Sequence, residues 1–440
     1  MLCAIANIEP IVVFPVVLSY GSSKPKDLEF LEDVVQDLAH ILEHGLKDGD
    51  RVLQVTLRCV VCDAPARALV KGTKLCSGYF ECDKCAQEGM WIGRVVYPIV
   101  KDVNLRTDVS FRRKVNLEHH NNESPFSALP IDMIKKFPID YMHQLCLGVM
   151  KKLILSWVRG SRNVKLSSGQ VKEISDQLIA LKPFVPRIFA RKPRGLEQID
   201  RWKATEYRQF LLYTGKIVLS NILKPELYYH FLCLSVASCI MISPDLASVH
   251  CEYAKQLMEY FVEQAIKLYG SEFAVYNVHS MIHLADEVAE YGSLDACSAF
   301  PFENYMQKLK RLVHSGKNPL VQIAKRLSES TATVQLSHHP KICLRRPDNA
   351  FILSDSACCE VVEKLSNVND NGDEQFSCRV YQRTDALFAN PCDSRLIGVF
   401  QVNQRWTTIK VLSSHDLTKK AIKVELGCNK IVFMAILHQY

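Results

Sequence analysis

The sequence lacks several features that would place the protein in a simple class. It contains no tandem repeat and no low-complexity segment, which argues against a solenoid and against a long disordered chain. The first twenty residues are apolar, but they have no basic n-region, and Pro10 and Pro15 interrupt them. We therefore predict neither a signal peptide nor a membrane span, and no membrane partner. There is also no clear nuclear-localisation run.

The composition is that of a soluble globular protein. Apolar residues make up 48% of the 440 residues and charged residues 23%, and the length allows two or three domains with a large buried core. The 17 cysteines are scattered, apart from one tight cluster with metal-type spacing. Reduced thiols in an intracellular compartment are the better interpretation of this pattern.

The net charge of +7 is concentrated in two stretches. Residues 182–208 hold eight Lys or Arg against three acids, and residues 305–326 hold six with no acid. Basic patches of this kind can be solvated helix faces or sites for a polyanion such as DNA. The candidate DNA-binding residues are Arg191, Lys192, Arg194, Lys203, Lys308, Lys310 and Arg311.

Patterning divides the chain into three parts. Residues 1–130 predict strand, strand, helix and strand, residues 131–335 are mainly helical, and residues 336–440 predict a small all-β module. Within the helical part, one helix is expected over residues 132–152 and another over 251–269. The fold class is therefore α/β with a C-terminal β-rich module.

One acidic residue ends an apolar run in the first part. Residues 52–61 alternate as a strand would, and Asp63 falls where that strand is expected to stop. The carboxyl end of a central strand is where an α/β fold places its chemistry. The alternative is a turn residue before Pro65.

The cysteine cluster predicts structural zinc. Cys82 and Cys85 form a C-x2-C pair, and Cys76 is a third soft ligand six residues upstream. His119 or His120 is the candidate fourth ligand, of which we prefer His120, and Cys62 or Cys59 are weaker alternatives. Cys59 and Cys62 form a second C-x2-C pair, but they lie within the expected strand, where that spacing turns side chains to opposite faces.

Three further groups of polar residues could carry chemistry. His279 and His283 lie one turn apart on a helix, where we favour core histidines because no Glu follows His279 as a zinc protease would require. Asp140 and His143 are also one turn apart, which favours an internal hydrogen bond. Glu303 precedes the second basic stretch, so a carboxylate for Mg²⁺ would lie beside cations for phosphate.

A series of motifs, in order along essentially the whole chain, resembles the CACTA (En/Spm)-type DNA transposases and their animal relatives. No single motif is specific, but jointly they are. They are Cys62-Asp63-Ala64-Pro65-Ala66-Arg67, Lys71-Gly72-Thr73-Lys74, Ser77-Gly78-Tyr79, Cys82-x-x-Cys85, the stretch from Phe137-Pro138-Ile139-Asp140-Tyr141-Met142-His143 to Met150, Arg201-Trp202-Lys203-Ala204-Thr205-Glu206-Tyr207-Arg208, and Phe300-Pro301-Phe302-Glu303-Asn304-Tyr305.

The resemblance implies an RNase H-like DDE domain with a large helical insertion between the second and third acids. Asp63 would be the second acid and Glu303 the third, and both would bind Mg²⁺ ions that support attack on a phosphodiester. Asp140 and His143 match a family motif and are possible accessory residues. A DNA partner, a nuclear address and possible homo-oligomers follow from the same resemblance.

Two departures from the family pattern matter. Cys76 stands where the family's zinc knuckle usually has a His. The first acid of the triad belongs in an Asp-Gly context on the first strand, but no Asp precedes Asp27. We therefore expect an N-terminally truncated, incomplete RNase H-like domain that does not transpose by itself, so enzymatic activity is left open. The alternatives are a host-adopted, non-catalytic DNA- or protein-binding factor and a nuclease that uses Asp140 as substitute acid.

Overall fold

The computed structural model describes residues 1–8, 11–21, 28–75, 78–329, 342–368, 373–427 and 429–438. The described chain packs into two compact units. Unit 1 contains residues of Met1–Gln144, Val275–Ser280 and Ala296–His339, and unit 2 contains residues of Leu145–Ala274, Met281–Asp295 and Pro340–Tyr440. The three-part division at residues 130 and 335 remains a prediction beside these units.

Helices and strands are both present, as predicted. The helices are α1 (Glu32–His44), α2 (Ala64–Lys71), α3 (Asp108–Arg112), α4 (Lys151–Arg159), α5 (Ser168–Ala180), α6 (Ala204–Gln209), α7 (Gly215–Val218), α8 (Pro225–Ile242), α9 (Pro244–Tyr269), α10 (Tyr276–His279), α11 (Leu284–Tyr291), α12 (Phe300–Leu312) and α13 (Pro319–Glu329). The strands are β1 (Leu2–Ala4), β2 (Val13–Pro15), β3 (Leu46–Asp48), β4 (Arg51–Leu53), β5 (Met90–Trp91), β6 (Val95–Val96), β7 (Ala350–Ile352), β8 (Cys358–Val368), β9 (Glu374–Tyr381), β10 (Thr384–Ala386), β11 (Val399–Asn403), β12 (Thr407–Ser413), β13 (Lys419–Gly427) and β14 (Lys430–Ala435).

The N-terminal part of unit 1 follows the predicted order only in part. β1 and β2 pair antiparallel, and α1 ends at Gly45, whose φ of 75° favours glycine. The strand expected over residues 52–61 is much shorter, because only β4 finds a partner, in β3. Among the described residues of this unit the strands form three two-stranded sheets, so the RNase H-like sheet is not confirmed.

The core of unit 1 explains why α1 lies where it does. Leu31 and Val35 from the start of α1 pack against Phe111, Phe126 and Phe137. Leu38 and Leu42, one and two turns further along α1, pack against the same cluster. The apolar residues that recur at helical spacing in α1 therefore form the face that α1 buries in the core.

Unit 2 holds most of the long helices. A π-helical segment, Met142–Met150, leads directly into α4, so the predicted helix over residues 132–152 begins about ten residues late. Pro138 disfavours helix in the residue before it, and Asp140 caps the segment that follows. The helix predicted over residues 251–269 is the later part of α9. α8 is apolar and long enough to cross a bilayer, but 78% of it is buried, as in the core helix of a globular protein.

The C-terminal β module is confirmed as one eight-stranded, all-antiparallel sheet. Its strand order is β10-β11-β14-β13-β7-β8-β9-β12. The core on one of its faces includes Tyr381, Phe400 and Phe433, and that on the other includes Phe351 and Phe376. Both faces of the sheet are therefore partly buried, which accounts for the many apolar residues in these strands.

Candidate metal centre and acidic site

Two cysteines and two histidines form a buried cluster. Cys82 and Cys85 lie in the loop after α2, His279 ends α10, and His283 follows one turn later on the same continuous helical segment. Cys85 Sγ lies 3.3 Å from Nε2 of His279, and one ligand atom from each of the four residues lies within 4.8 Å of all the others. This arrangement could hold a metal ion such as zinc.

The donor set suits a closed zinc site. With Zn–S bonds of about 2.3 Å and Zn–N bonds of about 2.0 Å, the ligand atoms of a tetrahedral site lie about 3.3–3.8 Å apart. The observed separations, which do not exceed 4.8 Å, need only a small contraction to reach this geometry. All four side chains are buried, and four protein ligands fill a tetrahedral shell. An ion bound by all four side chains would therefore have no open position for a substrate, as in structural zinc sites.

The Cys85 thiol is protonated without metal, because its hydrogen bond with Cys82, together with burial, raises its pKa. Zinc binds thiolates, so its binding would release this proton. The affinity for zinc should accordingly increase with pH.

The cluster contains other histidines than the one that the sequence favours as a zinc ligand. We preferred His120 as the fourth ligand, but its backbone pairs with Thr73 and its ring lies 4.8 Å from that of Phe111, outside the cluster. His279 and His283, which we interpreted as core histidines, lie in the cluster instead and could serve as its nitrogen ligands. Cys76 lies outside the described residues. Cys59 and Cys62 are half-buried and not part of the cluster, and burial raises the pKa of Cys62 to about 11.

Charged residues brace the cysteine loop against α2. The carboxylate of Asp83, between the two cysteines, binds Arg67 and, at 3.1 Å, Lys71. Burial would raise the pKa of Asp83, but Lys71, Arg67 and His119 together hold it well below its usual range. Arg106 Nε donates to the carbonyl oxygens of Cys82 (2.9 Å) and Cys85 (3.0 Å). The loop is therefore held by buried ion pairs that spacing alone did not reveal.

Asp63 occupies the N-cap of α2. Its Oδ1 accepts a hydrogen bond of 2.8 Å from the backbone N–H of Ala66, and Pro65 lies in the first turn of the helix. The turn interpretation of this residue is thus realised as a helix cap. Among the described residues no hydrogen bond occupies its other oxygen, Oδ2, which leaves that oxygen free for a ligand.

Asp140 joins two distant parts of unit 1. Its Oδ2 accepts from the backbone N–H of His143 at 3.1 Å and from His143 Nδ1 at 2.6 Å. Its Oδ1 accepts from Met142 N at 3.3 Å and from Ala299 N at 2.9 Å. Ala299 is the N-cap of α12, the helix whose first turn carries Glu303. The internal Asp140–His143 hydrogen bond is therefore present, and Asp140 also fixes the start of the Glu303 helix.

The pKa of His143 depends on both acids that the resemblance selects, Asp63 and Glu303. Burial alone would lower its pKa, but the hydrogen bond and charge of Asp140, together with the charges of Asp63 and Glu303, raise it above its ordinary value. Asp63 and Glu303 are 240 residues apart in the sequence, yet both act on the same imidazole. The fold thus brings the two predicted acids towards one place.

The two predicted basic patches differ in how freely their cations are displayed. In the first, Arg194 binds both oxygens of Glu206 at 2.5 and 2.7 Å, and Lys192 Nζ donates to the carbonyl of Val185. Arg191 and Lys203 are exposed. In the second patch, exposed cations lie on α12 and after it: Lys308, Lys310, Arg311 and Lys317. The second patch therefore offers the more open cationic surface.

Comparison with known proteins finds a similarity in the C-terminal part of the chain. A family model described as a domain of unknown function (DUF8592) matches residues 314–436, which cover α13 and the antiparallel sheet. No match is found among curated proteins.

Proposed function

We propose that the protein is a DNA-binding protein derived from a CACTA-like DDE transposase, with an incomplete RNase H-like catalytic site that does not cleave DNA by itself. The observation that carries the proposal is that Asp140 accepts hydrogen bonds both from His143 and from the N-cap of the helix that carries Glu303, while the charges of Asp63 and Glu303 both raise the pKa of His143. These are the residues that the family motifs select.

Asp63 and Glu303 offer the oxygen ligands that a magnesium ion prefers, but they are one acid fewer than a DDE site uses. Oδ2 of Asp63 and the exposed carboxylate of Glu303 would hold the ion, and oxygen ligands are those that Mg²⁺ prefers. When bound, Mg²⁺ would polarise a phosphodiester and lower the pKa of an attacking water. A DDE site uses three acids, and Asp140 is a poor substitute because four donors already occupy its oxygens.

The cations on α12 supply the DNA-binding surface. Lys308 and Lys310 are exposed five and seven residues after Glu303, and the turn that follows α12 is fixed by the side chain of Gln322. Its Oε1 accepts from His314 N at 3.0 Å, and its Nε2 donates to Lys317 O at 2.6 Å. α12 and the turn after it therefore present fixed cations next to acidic residues. Such cations attract the phosphate backbone of DNA electrostatically, whatever its sequence.

DNA binding is tested by fluorescence anisotropy with a duplex at several salt concentrations. We expect binding that weakens steeply with salt, and a variant carrying Lys308→Glu and Lys310→Glu should bind at least about tenfold more weakly with a salt slope smaller by about two. The matched control reverses Lys165 and Lys172, two exposed lysines of unit 2, and should bind as wild type does. Absence of DNA binding, or equal loss in both variants, would overturn the proposal.

The second candidate function is that of a host-adopted DNA- or protein-binding factor that catalyses no reaction. The full engagement of Asp140 favours it over a nuclease. A plasmid-nicking assay in Mg²⁺ or Mn²⁺ distinguishes a non-catalytic protein from a nuclease. We expect no nicking by the wild-type protein. Nicking that disappears in both Asp63→Asn and Glu303→Gln would show an active enzyme and refute the non-cleaving proposal.

A further inference from the structure

One edge of the eight-stranded sheet in unit 2 is open. β12 stands last in the strand order and pairs with β9 over seven consecutive residues without a bulge. The strand at the opposite edge, β10, is only three residues long. Short strands, bulges or covering segments commonly protect sheet edges, because an unpaired row of backbone N–H and C=O groups can pair with another chain. Among the described residues, no strand pairs with the outer side of β12.

The register of β12 identifies which of its backbone groups point outwards. Two backbone hydrogen bonds of 2.9 Å mark the ends of the β9–β12 ladder: Gln382 N to Trp406 O and Ser414 N to Glu374 O. In an antiparallel ladder, hydrogen-bonded pairs alternate with pairs that have no hydrogen bond between them. The even-numbered residues of β12 therefore bond to β9, and the N–H and C=O groups of Ile409 and Val411 point away from it. In the described part of the chain no hydrogen bond occupies these groups.

The side chains of β12 are apolar on one face of this edge and basic on the other. Ile409 is 61% exposed and Val411 is 58% exposed, and the two lie on the same face of the sheet. Lys410, between them, is exposed on the opposite face, and β12 contains no acid. Open backbone groups and exposed apolar side chains thus belong to the same two residues, which is the pattern that an added strand requires.

Positive charge lies at the middle of β12 and at its N-terminal end. Arg405 is exposed in the turn before β12, and Arg383 lies over the ring of Trp406, 4.6 Å from its centre. Asp416, the acid that follows β12, is bound to the last residue of the strand. A second copy of the chain would bring the Lys410 residues of two edges together, and lysine on an edge strand opposes such pairing. The charges therefore favour an acidic strand over a second copy.

We propose that the β12 edge binds an extended segment of a partner protein in which apolar residues alternate with acidic ones. The segment would lie antiparallel to β12, as neighbouring strands of this sheet do, and exchange backbone hydrogen bonds with Ile409 and Val411. Its apolar side chains would pack against these two residues, and an acid on the opposite face would lie beside Lys410. The site is independent of DNA binding, because it shares no residue with the acidic site or with α12.

A labelled peptide of alternating valine and glutamate tests the proposal by fluorescence anisotropy with the full-length protein. This peptide should bind. A peptide of alternating valine and lysine should bind at least about tenfold more weakly, because it brings like charges together at Lys410. Equal binding of the two peptides, or no binding of the valine–glutamate peptide up to ~1 mM, overturns the proposal.

Methylation of the peptide backbone distinguishes strand pairing from charge attraction alone. In the proposed complex the valines lie opposite Ile409 and Val411, so their N–H groups donate to β12, whereas the N–H groups of the glutamates point away from it. A peptide with N-methylated valines should therefore bind at least about tenfold more weakly than the parent peptide, and one with N-methylated glutamates should bind as the parent does. Equal binding of the two methylated peptides would refute strand pairing.

A charge reversal assigns the binding to β12. Lys410→Glu should bind the valine–lysine peptide more tightly than the valine–glutamate peptide, which reverses the preference of the wild type. The substituted side chain is exposed, so the fold tolerates the change. Lys172→Glu, at another exposed lysine of unit 2, is the matched control and should keep the wild-type preference. An unchanged preference in Lys410→Glu would exclude the β12 edge as the binding site.

Sedimentation velocity decides whether a second copy occupies the edge instead. We expect the wild-type protein and Val411→Lys to sediment alike, because the edge is not used for self-association. A wild-type dimer that Val411→Lys dissociates would assign the edge to a second copy and overturn the proposal.

Discussion

Removal of zinc should loosen unit 1. The perturbation is chelation of the wild-type protein, with Cys82→Ser as its genetic equivalent, because a serine hydroxyl is a poor zinc ligand at neutral pH. The expected protein contains about one zinc per chain, and Cys82→Ser contains almost none. Cys3→Ser changes a thiol of the same unit outside the cluster, so it should retain the metal.

The size of the effect follows from the closed and buried nature of the site. All four ligands are buried, so binding is confined to the folded state, and free zinc at about 1,000 times its Kd adds about 4 kcal/mol to the free energy of unfolding. For a unit of this length, that free energy corresponds to about 8–16 °C in Tm. Chelation should lower the Tm of wild type by this amount and leave that of Cys82→Ser unchanged.

Metal analysis by mass spectrometry and thermal unfolding followed by circular dichroism measure both quantities. Replacement of zinc by Co²⁺ adds a spectroscopic check, since a tetrahedral S₂N₂ site gives visible absorption that Cys82→Ser should lack. A wild-type protein purified without zinc, whose Tm responds neither to added zinc nor to chelation, would refute the metal centre. Retention of zinc in a His283→Ala variant would refute the assignment of that ligand.

Three further predictions concern buried polar groups. Asp83→Asn leaves two cations buried without a counter-charge and should lower the free energy of unfolding by about 3–5 kcal/mol in urea titrations, whereas Glu123→Gln, at an exposed ion pair, should change nothing measurable. Asp140→Asn removes the charge and replaces with an NH₂ group one of the two oxygens that together accept from four donors, so it should cost about 2–3 kcal/mol and speed amide exchange at residues 299–303; unchanged exchange would contradict this. His230 is neutral in the fold with a pKa of about 4, so the unfolded chain binds the extra proton below pH 6.5; between pH 6.5 and 5 the stability of wild type should therefore fall by about 2 kcal/mol more than that of His230→Phe, while His119, whose pKa is also lowered, adds a loss common to both.

Sequence reasoning found those elements whose signals are local. The spacing of apolar residues in α1 and α9, and the glycines that end both helices, are complete within one segment. The β module was equally visible, because short β-type runs alternate with turn residues after position 340. The predicted strand over residues 52–61 is too long. Alternation of apolar and polar residues shows only that one segment could form a strand, whereas a strand forms only where another strand pairs with it.

The combination of two cysteines and two histidines in the candidate metal centre could not be predicted from the sequence. The C-x2-C pair and the histidine pair were each visible, but 194 residues separate Cys85 from His279. No local rule connects two half-sites across that distance, so the nearer His120 was preferred. The same holds for Asp140, where the hydrogen bond to His143 was predicted and the one to Ala299, 159 residues away, was not. The pairing of Arg194 with Glu206 was likewise not predicted, because it depends on the folding of the intervening turn.

Arg67 connects the metal centre with the acidic site. The guanidinium is 1% exposed, and it binds Asp83 in the cysteine loop, the hydroxyl of Tyr276 at 2.6 Å and the carbonyl of Pro138 at 3.2 Å. Tyr276 lies three residues before His279, Pro138 lies two residues before Asp140, and Arg67 itself is four residues after Asp63. Because one buried side chain joins all three segments, the cysteine loop cannot loosen without disturbing the N-cap at Asp63. Zinc would therefore act on the acidic site through position alone, by holding α2 in place.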